Sequence, residues 1–170
     1  MRSTHVPAGF LHPLFYRQGD IIERKEIQPF PMMMKELYFY YDIIGTNKPW
    51  QCQTESIPAV LNLWNSEKEL LVNLYKQRNR KAAREPMLRG LSYFLSCLFW
   101  LNGTPVNDIT KWVQKIEELE AKPINCVERL EFIFCNCDLY HAFIQLCELF
   151  EELAKLFYKH ITMNQDRRNR

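Results

Sequence analysis

Apolar residues recur along this chain with a helical period from Pro31 onward and without a sustained period before it. Near the C-terminal end, Leu139, Phe143, Leu146, Phe150, Leu153 and Phe157 follow one another at alternating steps of four and three. That spacing sets side chains on one face of an α-helix. A second line through Tyr140, Cys147, Ala154 and Ile161 makes the face wide enough to meet more than one neighbour. Between Pro86 and Leu101 the pattern changes to apolar nearly all round. Arg89, Ser92 and Ser96 occupy one narrow arc, with Tyr93 and Trp100 beside it. Such a helix predicts the centre of a bundle, closed at Asn102-Gly103.

The remaining elements follow from local signals. MMMKELYFYYDII predicts a helix with Pro31 placed to start it and Gly45 to stop it. A loop then leads to a short turn that opens with Pro58. Ser66-Glu67-Lys68-Glu69 has the form of a capping box and predicts the start of a helix carrying Leu70, Leu71, Leu74 and Tyr75 on one side. Pro86 suits the first turn of the central helix, where a missing amide hydrogen loses nothing. Asn107 or Asp108 is placed to cap a helix running through Leu119, with Ile109, Trp112, Val113 and Ile116 inward. Asn125-Cys126-Val127-Glu128 repeats the capping logic for a short helix. The expected organisation is an extended arm over residues 1–30, docked through Phe10, Leu14 and Phe15, a bundle domain over 31–163, and a basic disordered tail over 164–170. The fold class is all-α: a single-domain bundle of about six helices with a central apolar helix and a long C-terminal one.

Composition narrows the function classes. An apolar share of 47% with 25% charged residues excludes wholesale disorder, and five glycines argue against a turn-rich all-β chain. The longest mainly apolar run, Leu91 to Leu101, is far short of the ~20 residues that span a bilayer. No apolar segment follows a basic start at the N-terminal end, so a cytoplasmic protein without a membrane partner is expected. Cys52, Cys97, Cys126, Cys135, Cys137 and Cys147 accordingly read as reduced thiols. Cys135-Asn136-Cys137 lacks the spacing of a structural zinc pair, so neither a metal nor a cofactor is expected. Glycine-rich phosphate loops, nucleophile elbows and metalloprotease helices are absent from the sequence, and catalysis is not expected.

The net charge of +2 is small, but it is unevenly spread. Lys76, Arg78, Arg80, Lys81, Arg84 and Arg89 stand against Glu85 alone, whereas residues 108–152 hold ten acids and four bases. Arg78, Arg80, Lys81, Arg84 and Arg89 are therefore the candidate recognition patch, for a partner that is acidic: nucleic acid or another protein. An alternative is a protein that binds an anion or small molecule, or an enzyme, with its ligand seated where the Pro86 helix begins, in a pocket lined by Arg89, Ser92 and Trp100. The wide apolar face of the last helix also predicts a homo-oligomer interface.

Three segments carry a resemblance: KAAREPMLRGLSYFLSCLFWLNG from Lys81 to Gly103, KPINCVERLEFI from Lys122 to Ile133, and YHAFIQLCELFEELAKLF from Tyr140 to Phe157. Over about residues 30–160 the chain resembles the YpoC-like family of Bacillus-type bacteria. The resemblance implies a small cytosolic protein and brings no catalytic residue with it. Genes of that family lie near those for an endonuclease III-like repair enzyme and a replication-initiation protein, an association that favours nucleic acid among the acidic partners.

Overall fold

In a computed structural model, which describes residues 3–23 and 26–170, the helical pattern from Gln53 to Leu101 folds as an antiparallel pair. Helix α2 spans Gln53–Lys76 and helix α3 spans Arg80–Leu101. The pair is pinned at both ends and in the middle. Gln53 Nε2 donates to the Trp100 carbonyl at 2.7 Å, Arg89 meets Glu67, and Gly90 lies against the Trp64 ring. From Pro86 to Leu101 every residue of α3 except Arg89 is buried, as the all-round apolar pattern predicts. Its C-terminus closes as expected. Gly103, at φ 75°, donates its amide to the Trp100 carbonyl, and Thr104 donates to Phe99, which satisfies two carbonyls of the last turn.

Both ends of this pair depart from the sequence reading. Pro58 lies inside α2 rather than opening a turn, and Ser66 is a mid-helix residue whose hydroxyl reaches back to the Asn62 carbonyl. The reason is the stripe Ile57, Val60, Trp64, Glu67 and Leu71, which keeps one helical face inward straight through the supposed capping box. Proline removes one hydrogen bond near the exposed end of the helix, and burial of the stripe outweighs it. Leu70 falls off this stripe and is exposed. Likewise α3 starts at Arg80, not near Pro86: Asn79 caps it by accepting the Ala82 amide at 3.2 Å.

The other elements wrap the hairpin. Helix α1, Tyr40–Ile44, is shorter than predicted, because Phe39 adopts φ 55° and breaks the run after a 3-10 turn at Met32–Lys35. Phe39, Tyr40 and Tyr41 are all at most 2% exposed. Three consecutive aromatics cannot share one helical face, and the break re-aims them. Helix α4, Trp112–Glu117, starts late because the Asp108 carboxylate accepts the amides of Thr110 and Lys111 in a turn before it. Helix α5 is Cys126–Cys135, and its Phe134 ring stacks on Trp112 at 4.4 Å. Asn125 occupies the cap position of α5 without a side-chain cap bond.

Among the described residues before Pro31, a strand pair and several core side chains stand in place of an extended arm. Strand β1, Ser3–His5, pairs antiparallel with β2, Ile21–Glu23, in the register Thr4 opposite Ile22. Phe10, Phe15, Tyr16 and Ile22 are buried, Leu14 is half-buried, and the Phe15 ring meets Phe39 at 5.0 Å. Helix α6, Tyr140–Arg168, continues through most of the segment expected to be a disordered tail. Its 29 residues make it about 43 Å long. The apolar face from Phe143 to Phe157 is covered within this chain by α2, α3 and α5. Among the described residues the architecture is thus six α-helices and one two-stranded sheet, an all-α domain in which no helix is long and apolar enough to cross a membrane.

One tight contact in this packing is at Gly90. A Cβ there would stand 2.5 Å from Cζ3 and 2.9 Å from Cε3 of Trp64, a ring stacked on Phe150 at 4.4 Å. Alanine would gain about 1 kcal/mol in helix propensity. Overpacking a fixed ring loses about 1–3 kcal/mol. We therefore expect Gly90→Ala to lower stability in urea unfolding, whereas a stabilised variant would mean that Trp64 is not held in place.

Candidate functional site

The elbow between α2 and α3 is three residues long, Gln77–Asn79, and its geometry follows from how α2 ends. The Arg78 amide donates to the Tyr75 carbonyl and the Asn79 amide to Leu74, which requires Arg78 in the left-handed region at φ 54°. Asn79 then starts α3, so both helices terminate inside the basic segment. Lys76, Arg78, Arg80, Lys81 and Arg84 are all exposed around this point.

The five predicted recognition residues do not form one surface. Arg80 meets Asp138, just before α6, in a two-pronged pair at 2.9 and 3.0 Å that holds the acid below its usual range. Arg84 donates to the Cys137 sulfur at 3.0 Å. Burial nevertheless pushes that thiol up, so Cys137 stands as a neutral acceptor rather than a nucleophile. Arg89 is the clearest departure. Its guanidinium meets the Glu67 carboxylate through Nε at 2.7 Å and Nη2 at 3.0 Å, with the Glu67 side chain only 6% exposed. A bidentate, largely desolvated pair of this kind is structural. It neutralises the guanidinium charge and takes up two of its five N–H donors. Arg78 and Lys81 form no ion pair among the described residues.

The alternative seat near Pro86 is also removed as a helix start. Pro86 is the seventh residue of α3, so the unpaired amides of a first turn are not there. Ser92 and Trp100 do not share a cavity with Arg89 either. The Ser92 hydroxyl donates to the Arg89 carbonyl at 2.7 Å, while Ser96 and Trp100 turn to a different group, Asp42 of α1. Asp42 Oδ1 accepts the Trp100 indole at 2.8 Å and the Val106 amide at 2.9 Å, and Oδ2 accepts the Ser96 hydroxyl at 3.0 Å. Burial pushes the Asp42 carboxyl up to about 6 even though all three bonds pull it down. The Cys97 thiol, nearby on α3, is pushed up by the same burial and by the Asp42 charge.

Asp42 and Glu67 were missed in the sequence, although each leaves a trace there. Asp42 is the lone acid in YFYYDII, and Glu67 falls on the inward stripe of α2. A cleft of about 640 Å³ lies at the opposite end of the hairpin, where α3 finishes and the end of α6 passes over it.

A family model described as YpoC-like protein matches residues 54–165. The chain belongs to the YpoC-like family. It is similar to the Bacillus subtilis (strain 168) "Uncharacterized protein YpoC", with 35% identity over 117 residues that cover 69% of this chain and 71% of that protein. No solved structure matches. The YpoC-like segment contains both halves of the Glu67–Arg89 pair and the whole elbow, whereas Asp42, which bonds α3 from outside, precedes it.

A pH dependence follows from Asp42. Its folded value of about 6 lies above the ordinary carboxyl value near 4, so the folded state holds a proton that the unfolded state has lost. The stability it contributes is present below about pH 4 and is lost as pH rises towards 6. Asp138 and Asp108, both lowered, act in the opposite sense and below that window. Between pH 4 and 6.5 we expect unfolding free energy to fall by on the order of 2 kcal/mol. Asp42→Asn should remove most of that fall, since an amide keeps the acceptor for Trp100 and Val106 and Ser96 can turn to accept. A slope unchanged in the variant would remove Asp42 as its source.

Proposed function

We propose that the protein works by contact rather than by catalysis, holding an acidic partner, nucleic acid in the first instance, against the elbow between α2 and α3. The observation that carries this reading is Arg78. The position demands the left-handed region, where glycine is unstrained and a side chain costs on the order of 1 kcal/mol. An exposed cation stands there instead. Lys76 and Lys81 flank it, and none of the three has an ion-pair partner among the described residues. Arg80 stays 59% exposed beside Asp138 and adds a partly neutralised fourth charge. The patch is smaller than the five-residue one expected from sequence, because Arg89 and Arg84 are engaged by the fold. Three phosphate contacts to a duplex give a salt slope of about −2.7, which is modest electrostatic binding without base readout.

Binding to a DNA or heparin matrix should weaken with salt along that slope, and Arg78→Ala or Lys81→Ala should each reduce the slope by about 1. Arg78→Gly separates function from folding. We expect it to gain on the order of 1 kcal/mol in unfolding free energy while it weakens retention. A stabilised variant that is retained as strongly as the parent protein would rule the elbow out as the recognition surface.

A further inference from the structure

At the end of the hairpin remote from the elbow, the last three turns of α6 extend past Phe157, its last buried residue. The hairpin separates the two ends by about 36 Å, the length of the 24-residue α2. The lining of the cleft of about 640 Å³ there includes Leu101, Leu156 and Met163 together with Lys159, His160 and Arg167. A smaller cleft of about 250 Å³ shares Gln53, His160 and Asn164 with it and brings in Arg168. Glu120 is the one acid lining the larger cleft, and none lines the smaller one. No carboxylate lies within ion-pair distance of Lys159, Arg167 or Arg168 among the described residues.

Several bases at the margins of the fold meet acids: Arg89 meets Glu67, Arg80 meets Asp138, and Arg129 meets Glu152 at 2.8 Å. Those lining this cleft do not. Favourable interaction with the helix dipole accounts for Arg167 and Arg168 in the last turn of α6. It does not reach Lys159, two turns earlier. Lys159, Met163 and Arg167 stand at i, i+4 and i+8, so one helical face carries two cations about 12 Å apart with an apolar side chain between them.

We infer that this cleft binds a phosphate ester carrying a flat apolar group, a nucleotide in chemical class, with its phosphates between Lys159 and Arg167 and its ring over Met163 and Leu156. The volume falls within the roughly 300–1,000 Å³ of small-molecule sites. The amide side chains of Gln53 and Asn164 border the cleft as hydrogen-bonding groups. Gln53 already uses its Nε2 on the Trp100 carbonyl, which leaves its side-chain oxygen as an acceptor.

Calorimetric titration of the full chain tests this with three probes: ADP, adenosine and inorganic pyrophosphate. We expect ADP to bind at least tenfold more tightly than either of its parts, with affinity falling as salt rises. The pair Lys159→Ala and Arg167→Ala should weaken ADP at least tenfold, and so should Met163→Glu, which sets an acid in the cleft lining. All three positions are exposed, and circular dichroism checks that the helices persist. Arg78→Ala with Lys81→Ala should leave ADP binding unchanged, so failure of the elbow proposal and failure of this one give different results. Absence of ADP binding at millimolar concentration would overturn the inference. So would pyrophosphate binding as tightly as ADP, or ADP binding undiminished in the Lys159/Arg167 pair.

Discussion

On a helix buried on every side, a charged group must find its partner inside the protein, since water is excluded and an unpaired buried charge costs several kcal/mol. Helix α3 is in that position from Pro86 to Leu101. Its guanidinium, hydroxyl and indole at Arg89, Ser96 and Trp100 therefore dictate what the surrounding elements must supply. Helix α2 supplies Glu67 and α1 supplies Asp42, each with distances of 2.7–3.0 Å. The packing of α2 against α3 is in turn fixed by Trp64, which fits over Gly90 and stacks on Phe150 of α6. The three long helices are locked by one aromatic contact and one ion pair lying within a few residues of each other.

The same constraint distributes charge over the surface. Bases that belong to the buried interior or its margin are neutralised by the fold. Among the described residues, those without an ion-paired acid include the elbow around Arg78 and the last turns of α6. The two cationic ends of one hairpin thus share a common origin. They differ in surroundings, however. The elbow exposes polar and charged side chains, whereas the far end holds a cleft partly lined by apolar ones.

Much of the fold was legible because apolar periodicity reports burial directly. The all-round apolar character of α3, its stop at Asn102-Gly103 and the stripe of α6 each specify an environment that only one kind of packing satisfies. Local punctuation was less informative. Pro58 was read as opening a turn, Pro86 as starting a helix and Ser66-Glu67-Lys68-Glu69 as a cap, yet all lie within helices. In each case a tertiary face running through the signal outweighed a local preference worth about 1 kcal/mol. The candidate patch was half legible. Clustering of the bases is visible in sequence, but which of them is already paired depends on Glu67, Cys137 and Asp138, brought in from far along the chain.

The account depends most on the Glu67–Arg89 pair being an internal element of the fold and not a binding residue with a passing neighbour. A double-mutant cycle in urea unfolding, with Glu67→Gln, Arg89→Met and the two combined, measures this directly. The account predicts a coupling energy of about 2 kcal/mol, with elbow-dependent retention on DNA unchanged in every variant. Coupling below about 0.5 kcal/mol, or loss of retention in Arg89→Met alone, would contradict it.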